Sequence, residues 1–129
     1  MDDTILIDTH LLLWARTAPE KLTTGERRLI QSSRVRMVST VSLWEFAILI
    51  GLSRIERNED LLAVPVGYEF LPIRPDHCKA LSRLPRHHRD PFDRMLIAQA
   101  QSEAVPLLTR DRTMMQYHEH ATVLRLPDA

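Results

Sequence analysis

The sequence predicts an α/β fold with a mainly parallel central sheet, and three observations predict it. Short apolar runs rich in Ile, Leu and Val fall at residues 4–8, 34–40, 69–73, 105–109 and 122–126, the length and composition of buried strands. Between them lie stretches of helical length with an apolar face. Their alternation along one chain implies parallel strands covered by helices on both sides. At 129 residues and 44% hydrophobic, residues 1–129 are expected to form one domain with its own core, needing neither disulfide nor structural metal.

Residues 4–8 end on Asp8-Thr9, a strand followed by a turn into a helix over residues 10–16 that stops before Pro19. Thr23-Thr24-Gly25-Glu26 has the form of a capping box and opens a second helix, with Leu29 and Ile30 inward. After the strand at 34–40, Thr40 or Ser42 is expected to cap a helix over 41–52. Its apolar face is Leu43, Phe46, Ala47 and Ile50, and Gly51 ends it. Residues 53–67 read as a connection with a short helix near 60–63. A third strand at 69–73 precedes a helix over 77–84, opened by Arg74-Pro75-Asp76, and then a basic loop, Pro85-Arg86-His87-His88-Arg89. The helix over 92–103 follows, with Met95, Leu96, Ala98 and Ala100 inward and Asp90 before Pro91 in a good capping position. The strand at 105–109, a helical turn at 113–117 and a last strand at 122–126 complete the chain.

The net charge is zero, so no global field draws the protein to nucleic acid or to anionic lipid. Fifteen of the 17 basic residues are Arg and only Lys21 and Lys79 are Lys, which suits planar phosphate contacts. Cys78 is the single cysteine, so no intramolecular disulfide forms and a reducing compartment is expected. It reads as a small thiol buried on a helix. The start, MDDTILIDTH, is acidic and its apolar run is short; neither a secretory signal nor a membrane span is expected, and the location implied is cytoplasmic.

In an open parallel sheet, functional groups collect at the carboxyl ends of the strands where the topology reverses. Asp8 and Asp111 follow two such strands, while Glu45 and Asp93 lie about one turn into two helices, so four acids converge on one rim. Singly, each has a structural role open to it. Asp8 can cap the first helix, Glu45 can pair with Ser42 in a capping box, Asp93 can answer a helix dipole, and Asp111 can cap a turn from Arg112. Jointly they are costly, because two like charges about 4 Å apart repel by roughly 4 kcal/mol at an effective dielectric of 20. A divalent cation offsets that cost. All-oxygen ligation suits Mg²⁺ or Mn²⁺ rather than zinc, with Thr9 and Thr109 in support through their hydroxyls. A cation so held can polarise a phosphoryl oxygen and activate water, which is phosphodiester hydrolysis. Arg86, Arg89, Arg110 and Arg112 flank the acids and are candidate phosphate contacts, Arg89 and Arg110 foremost. His87 and His88 are candidate proton donors or polar surface.

Asp8-Thr9-His10 after an apolar strand, SLWEFAI around Glu45, HHRDPFDRMLIAQA around Asp93 and LLTRD ending at Asp111 together resemble the PIN-domain ribonucleases, in particular the VapC toxins of VapBC toxin–antitoxin modules. The resemblance spans nearly the whole chain in order and spacing. It implies a three-layer α/β/α PIN fold and Mg²⁺- or Mn²⁺-dependent endoribonuclease activity. The four family acids correspond to Asp8, Glu45, Asp93 and Asp111, with Thr9 or Thr109 supporting them and Asp90 outside the primary metal shell. It also implies a homodimer, an RNA substrate and a small VapB-type antitoxin through which the pair binds operator DNA. One departure is residues 54–68, shorter than the helical clip that commonly holds the antitoxin in the family.

Three rival readings are weighed against it. A phosphoacceptor receiver wants a Lys after a late strand, which Lys21 and Lys79 do not supply. A phosphatase of the haloacid-dehalogenase type wants an acid two residues after the first, where His10 stands. A catalytically silent PIN-like module that binds RNA or protein is the third, and the presence of all four acids argues against it.

Overall fold

The computed structural model describes residues 3–126; the first two and last three residues of the expected 1–129 domain lie outside them. Ile5, Leu6 and Ile7 explain why the first strand, β1 (Thr4–Ile7), sits at the centre of the molecule. All three are buried, and successive side chains of a strand point to opposite faces, so both faces of β1 must be covered. Leu6 enters a core with Leu96, Ile97, Leu107 and Tyr117, whereas Ile5 and Ile7 enter a second core with Leu11, Leu12, Val38 and Phe46.

Around β1 stand β2 (Val35–Ser39), β3 (Glu69–Leu71), β4 (Leu107–Leu108) and β5 (Val123–Leu124), all parallel, in the order β3-β2-β1-β4-β5. The chain moves outward on one side of β1, then crosses to begin β4 on the other. The reversal therefore falls between β1 and β4, and a crevice opens at their carboxyl ends.

The helices are α1 (Thr9–Thr17), α2 (Thr24–Ser32), α3 (Thr40–Gly51), α4 (Pro75–Arg83) and α5 (Pro91–Glu103). α2 starts at the capping box read from the sequence, with Thr23 Oγ1 accepting from the Glu26 N–H at 3.1 Å and Glu26 accepting from the Thr23 N–H at 2.8 Å. Thr23→Ala is expected to cost about 1 kcal/mol, and Thr23→Ser much less. A urea midpoint equal to wild type in Thr23→Ala would contradict the cap's contribution. Among the described residues no helix is long and apolar enough to cross a membrane.

Several expectations are corrected. The α3 cap is Ser39, not Thr40 or Ser42; its hydroxyl oxygen accepts from the Val41 N–H at 2.9 Å and its O–H donates to Gln99. Ala47 is exposed, because α3 buries Val41, Ser42, Phe46 and Ile50 while Trp44, Ile48 and Leu52 face outward. A helix apolar on both sides gives no phase to its pattern. β4 is shorter than 105–109: Ala104 closes α5 in the left-handed region (φ 55°), the Val105 N–H bonds to the Ala100 carbonyl, and Pro106 has no N–H. Pairing then needs a partner of matching length, and β5 has only two residues, Val123 and Leu124. Cys78 is exposed rather than buried, because the adjacent His77 takes the interior position on α4. His77 is held there by the Arg74 N–H on Nδ1 at 3.0 Å and by Glu103 against Nε2 at 2.8 Å.

Candidate active site

The crevice collects acidic side chains because each nearby helix or turn begins there. Asp8 is the N-cap of α1, with Oδ1 accepting from the Thr9 N–H at 2.8 Å, and Asp111 caps the turn Arg112–Tyr117, with Oδ1 accepting from the Thr113 N–H at 2.8 Å. Asp90 caps α5 through the N–H groups of Phe92 and Asp93. Capping employs one oxygen of each of the first two and leaves the other for the crevice. Asp8 Oδ2 accepts from the Thr109 hydroxyl at 2.6 Å, and the Thr109 oxygen in turn accepts from the Asp111 N–H at 3.0 Å. Thr109, fully buried, ties the ends of β1 and β4 together at the site. Thr9 does the same between α1 and α3, its hydroxyl lying 2.9 Å from that of Ser42.

Glu45 and Asp93 have no such capping work. With Ser39 as the α3 cap and Ser42 engaged by Thr9, the capping box proposed for Glu45 does not form. Its Oε1 is buried without a hydrogen-bond partner. Asp93 Oδ2 lies 2.9 Å from His88 Nε2, which is 3.3 Å from Asp111 Oδ2. Ligand atoms of His88, Asp93 and Asp111 thus lie within 4.8 Å of one another.

The electrostatics follow from burial and crowding. Burial pushes the Asp8 carboxyl above its ordinary value, against the lowering effect of the Thr109 bond. Burial also raises Glu45, helped by Asp90 and Asp8 and opposed by the Thr9 hydroxyl. Asp93 is raised furthest, from 3.8 to about 7, by burial first and then by Asp8 and Asp90, with His88 opposing. Among the described residues no Arg or Lys pairs with any of Asp8, Glu45, Asp93 or Asp111. A buried carboxylate oxygen without a donor, near three more carboxylates that no Arg or Lys pairs and only His88 approaches, fits a hard cation.

All four acids predicted from the sequence therefore face one crevice, with Thr9 and Thr109 beside them. The two flanking arginines separate. Arg89 is exposed and shares a recess with His88, whereas Arg110 bonds to Glu26 and to the Lys21 carbonyl and stacks on Trp14 at 4.7 Å. Of the two histidines only His88 enters the crevice, while the exposed His87 packs edge-on against Tyr117 at 5.1 Å. The sequence marks neither Ser42 nor Tyr117 as a site residue. The Tyr117 hydroxyl accepts from the His88 N–H and donates to the Pro85 carbonyl, both at 3.0 Å, and so sets the loop that carries His88. Only the nearby Asp111 hinted at Tyr117; nothing in the local sequence distinguished Ser42 from another helix cap.

An open, all-parallel sheet with carboxylates gathered at its switch point defines an α/β protein whose carboxyl edge could hold a cation. Residues 5–119 match the PIN domain, and the chain belongs to the PIN-domain family. It is 27% identical to Ribonuclease VapC22 of Mycobacterium tuberculosis over 128 residues, covering 91% of this chain and 93% of that protein. Its fold is shared with VapBC2 from Rickettsia felis, solved with a DNA fragment from the promoter (TM-score 0.69, 12% identity, 95% of this chain and 98% of that one). DNA-bound VapBC from Salmonella typhimurium is similar (TM-score 0.68, 18% identity, 97% and 98%).

Proposed function

We propose that this chain is a divalent-cation-dependent endoribonuclease and the toxin of a VapBC-type pair, acting as one domain over residues 1–129. The observation that carries the catalytic reading is Glu45 Oε1, buried and unpartnered, with the Asp8 and Asp93 carboxylates close enough to interact with Glu45 electrostatically. Those four residues would hold Mg²⁺ or Mn²⁺, the cations suited to oxygen ligands. Bound there, the cation would supply Lewis-acid polarisation of the phosphoryl oxygen and a lowered pKa for the attacking water.

The protein's own groups do the rest. Thr109 fixes the rotamer of Asp8, and the Thr9–Ser42 pair fixes the entrance of α1 against α3, so the carboxylates need little rearrangement on binding. Arg89, exposed in the loop that carries His88, would receive a phosphate of the strand being cut. The likeness to Ribonuclease VapC22 supports RNA as substrate. The fold shared with VapBC complexes, two of them described as DNA-bound, supports a VapB-type antitoxin as partner and operator binding through it. A homodimer in the cytoplasm completes the reading.

The test is incubation of antitoxin-free protein with total RNA in Mg²⁺, Mn²⁺ or EDTA. Discrete cuts in either metal and none in EDTA are expected. Intact RNA in both metals, from protein with a native circular dichroism spectrum, would favour the silent binding module instead.

A further inference from the structure

Between α4 and α5, the chain forms a recess of about 670 Å³ lined by Arg86, His88, Arg89, Pro91 and Arg94. It shares a wall with the acidic crevice, since His88 lines the recess and reaches Asp93 at 2.9 Å. None of its three arginines pairs with a carboxylate among the described residues. Arg86 and Arg89 are exposed, and Arg94 is anchored by donating to the Leu84 carbonyl at 3.1 Å, which leaves its Nε buried without an acceptor. The first amides of α5 are already used by Asp90, so an anion here would be held by guanidinium groups and not by the helix terminus. Three guanidinium groups that line one recess without a carboxylate partner offer planar, charge-assisted donors to an anion.

We infer that this recess binds a backbone phosphate of single-stranded RNA next to the scissile one, through Arg86, Arg89 and Arg94. This rests on the ribonuclease reading and gives the substrate a direction across the site. The scissile phosphate lies over the acids and its neighbour beyond His88, so the strand leaves over the loop between α4 and α5. It does not leave past Arg110, whose guanidinium is committed to Glu26 and Trp14. Three of the five lining residues are arginines and none is Phe, Tyr or Trp, so the contact is to the backbone phosphate and independent of sequence.

Fluorescence anisotropy with labelled oligo(U) and oligo(A) in EDTA, where cleavage is stopped, tests this across 50–200 mM salt. Loss of one phosphate contact lowers the slope of log K against log salt by about 0.7 on single strands. The double variant Arg86→Ala/Arg89→Ala is expected to lose at least that much on both oligonucleotides, with a native melting temperature because both side chains are exposed. Arg94→Ala should do the same, and Arg94→Lys should restore part of the slope. Arg110→Ala should lower the melting temperature and leave the slope unchanged. An unchanged slope in the double variant, a change on one oligonucleotide only, or no RNA binding by wild type would overturn the recess. Metal-dependent cleavage in the same preparation would show that the nuclease reading survives that failure.

Discussion

Asn in place of Asp8 or of Asp93 is expected to lower metal-dependent RNA cleavage by at least about 100-fold, since even groups that only orient a metal's ligands are worth 10–100-fold. The two variants separate folding from chemistry. Asn is as good an N-cap as Asp, so Asp8→Asn keeps the start of α1 through its carbonyl oxygen. What it loses is the second carboxylate oxygen, replaced by an amide nitrogen that neither ligates a hard cation nor accepts the Thr109 hydroxyl. Asp93 caps nothing, so Asp93→Asn removes a charge and a proposed metal ligand without loosening a helix end. Initial rates at saturating Mn²⁺, with circular dichroism spectra alongside, measure the effect. Rates within tenfold of wild type in both folded variants would remove the acidic crevice as the catalytic centre.

Those two residues also mark how far the sequence could be read. Asp8 stood out because a buried strand and a helix start meet at it, and Asp93 because Asp90-Pro91 already explains the start of α5 and leaves the second acid without a local reason. Both inferences rest on short-range chemistry. So does the capping box of α2, which the structure forms as read. What the sequence concealed depends on distant partners. Arg110 looked available for phosphate, yet its acceptor is Glu26, 84 residues away. Cys78 was assigned the interior that His77 occupies, because the bonds that make a buried histidine tolerable come from the Arg74 backbone and from Glu103, 26 residues on. His88 could not be told from His87 until Tyr117 fixed their loop. β4 and β5 are shorter than their apolar runs for the same reason: a strand extends only as far as its neighbours pair with it.

The metal-free protein should lose stability as pH rises from about 5 to about 8, the reverse of ordinary acid unfolding. Asp8, Glu45 and Asp93 all hold protons more tightly in the folded chain than carboxyls normally do, and Asp93 does so up to about 7. In the unfolded chain these groups ionise near pH 4, so through the window above that value the folded state binds more protons and stability falls with pH. The contribution is complete below the unfolded value and gone once pH passes the raised one. Glu103 is lowered by its bonds to His77 and Arg74, and Glu26 is lowered because its bonds to Arg110 and Thr23 outweigh its burial. Stability from those two is present above the ordinary carboxylate range and lost as pH falls, so they act on the acid limb and not in this window. Discounted for partial exposure, Asp93 alone accounts for about 2 kcal/mol, or several degrees in melting temperature. Differential scanning fluorimetry in EDTA at pH 5 and pH 8 reads it directly. Mg²⁺ or Mn²⁺ should restore the loss at pH 8 and do little at pH 5, because a bound cation offsets the repulsion that protonation otherwise relieves. Asp93→Asn should melt higher than wild type at pH 8 in EDTA and gain less from either metal. Equal melting temperatures at both pH values in EDTA, with no gain from metal, would mean that the four carboxylates are already neutralised within the chain and that no cation is needed to hold them together.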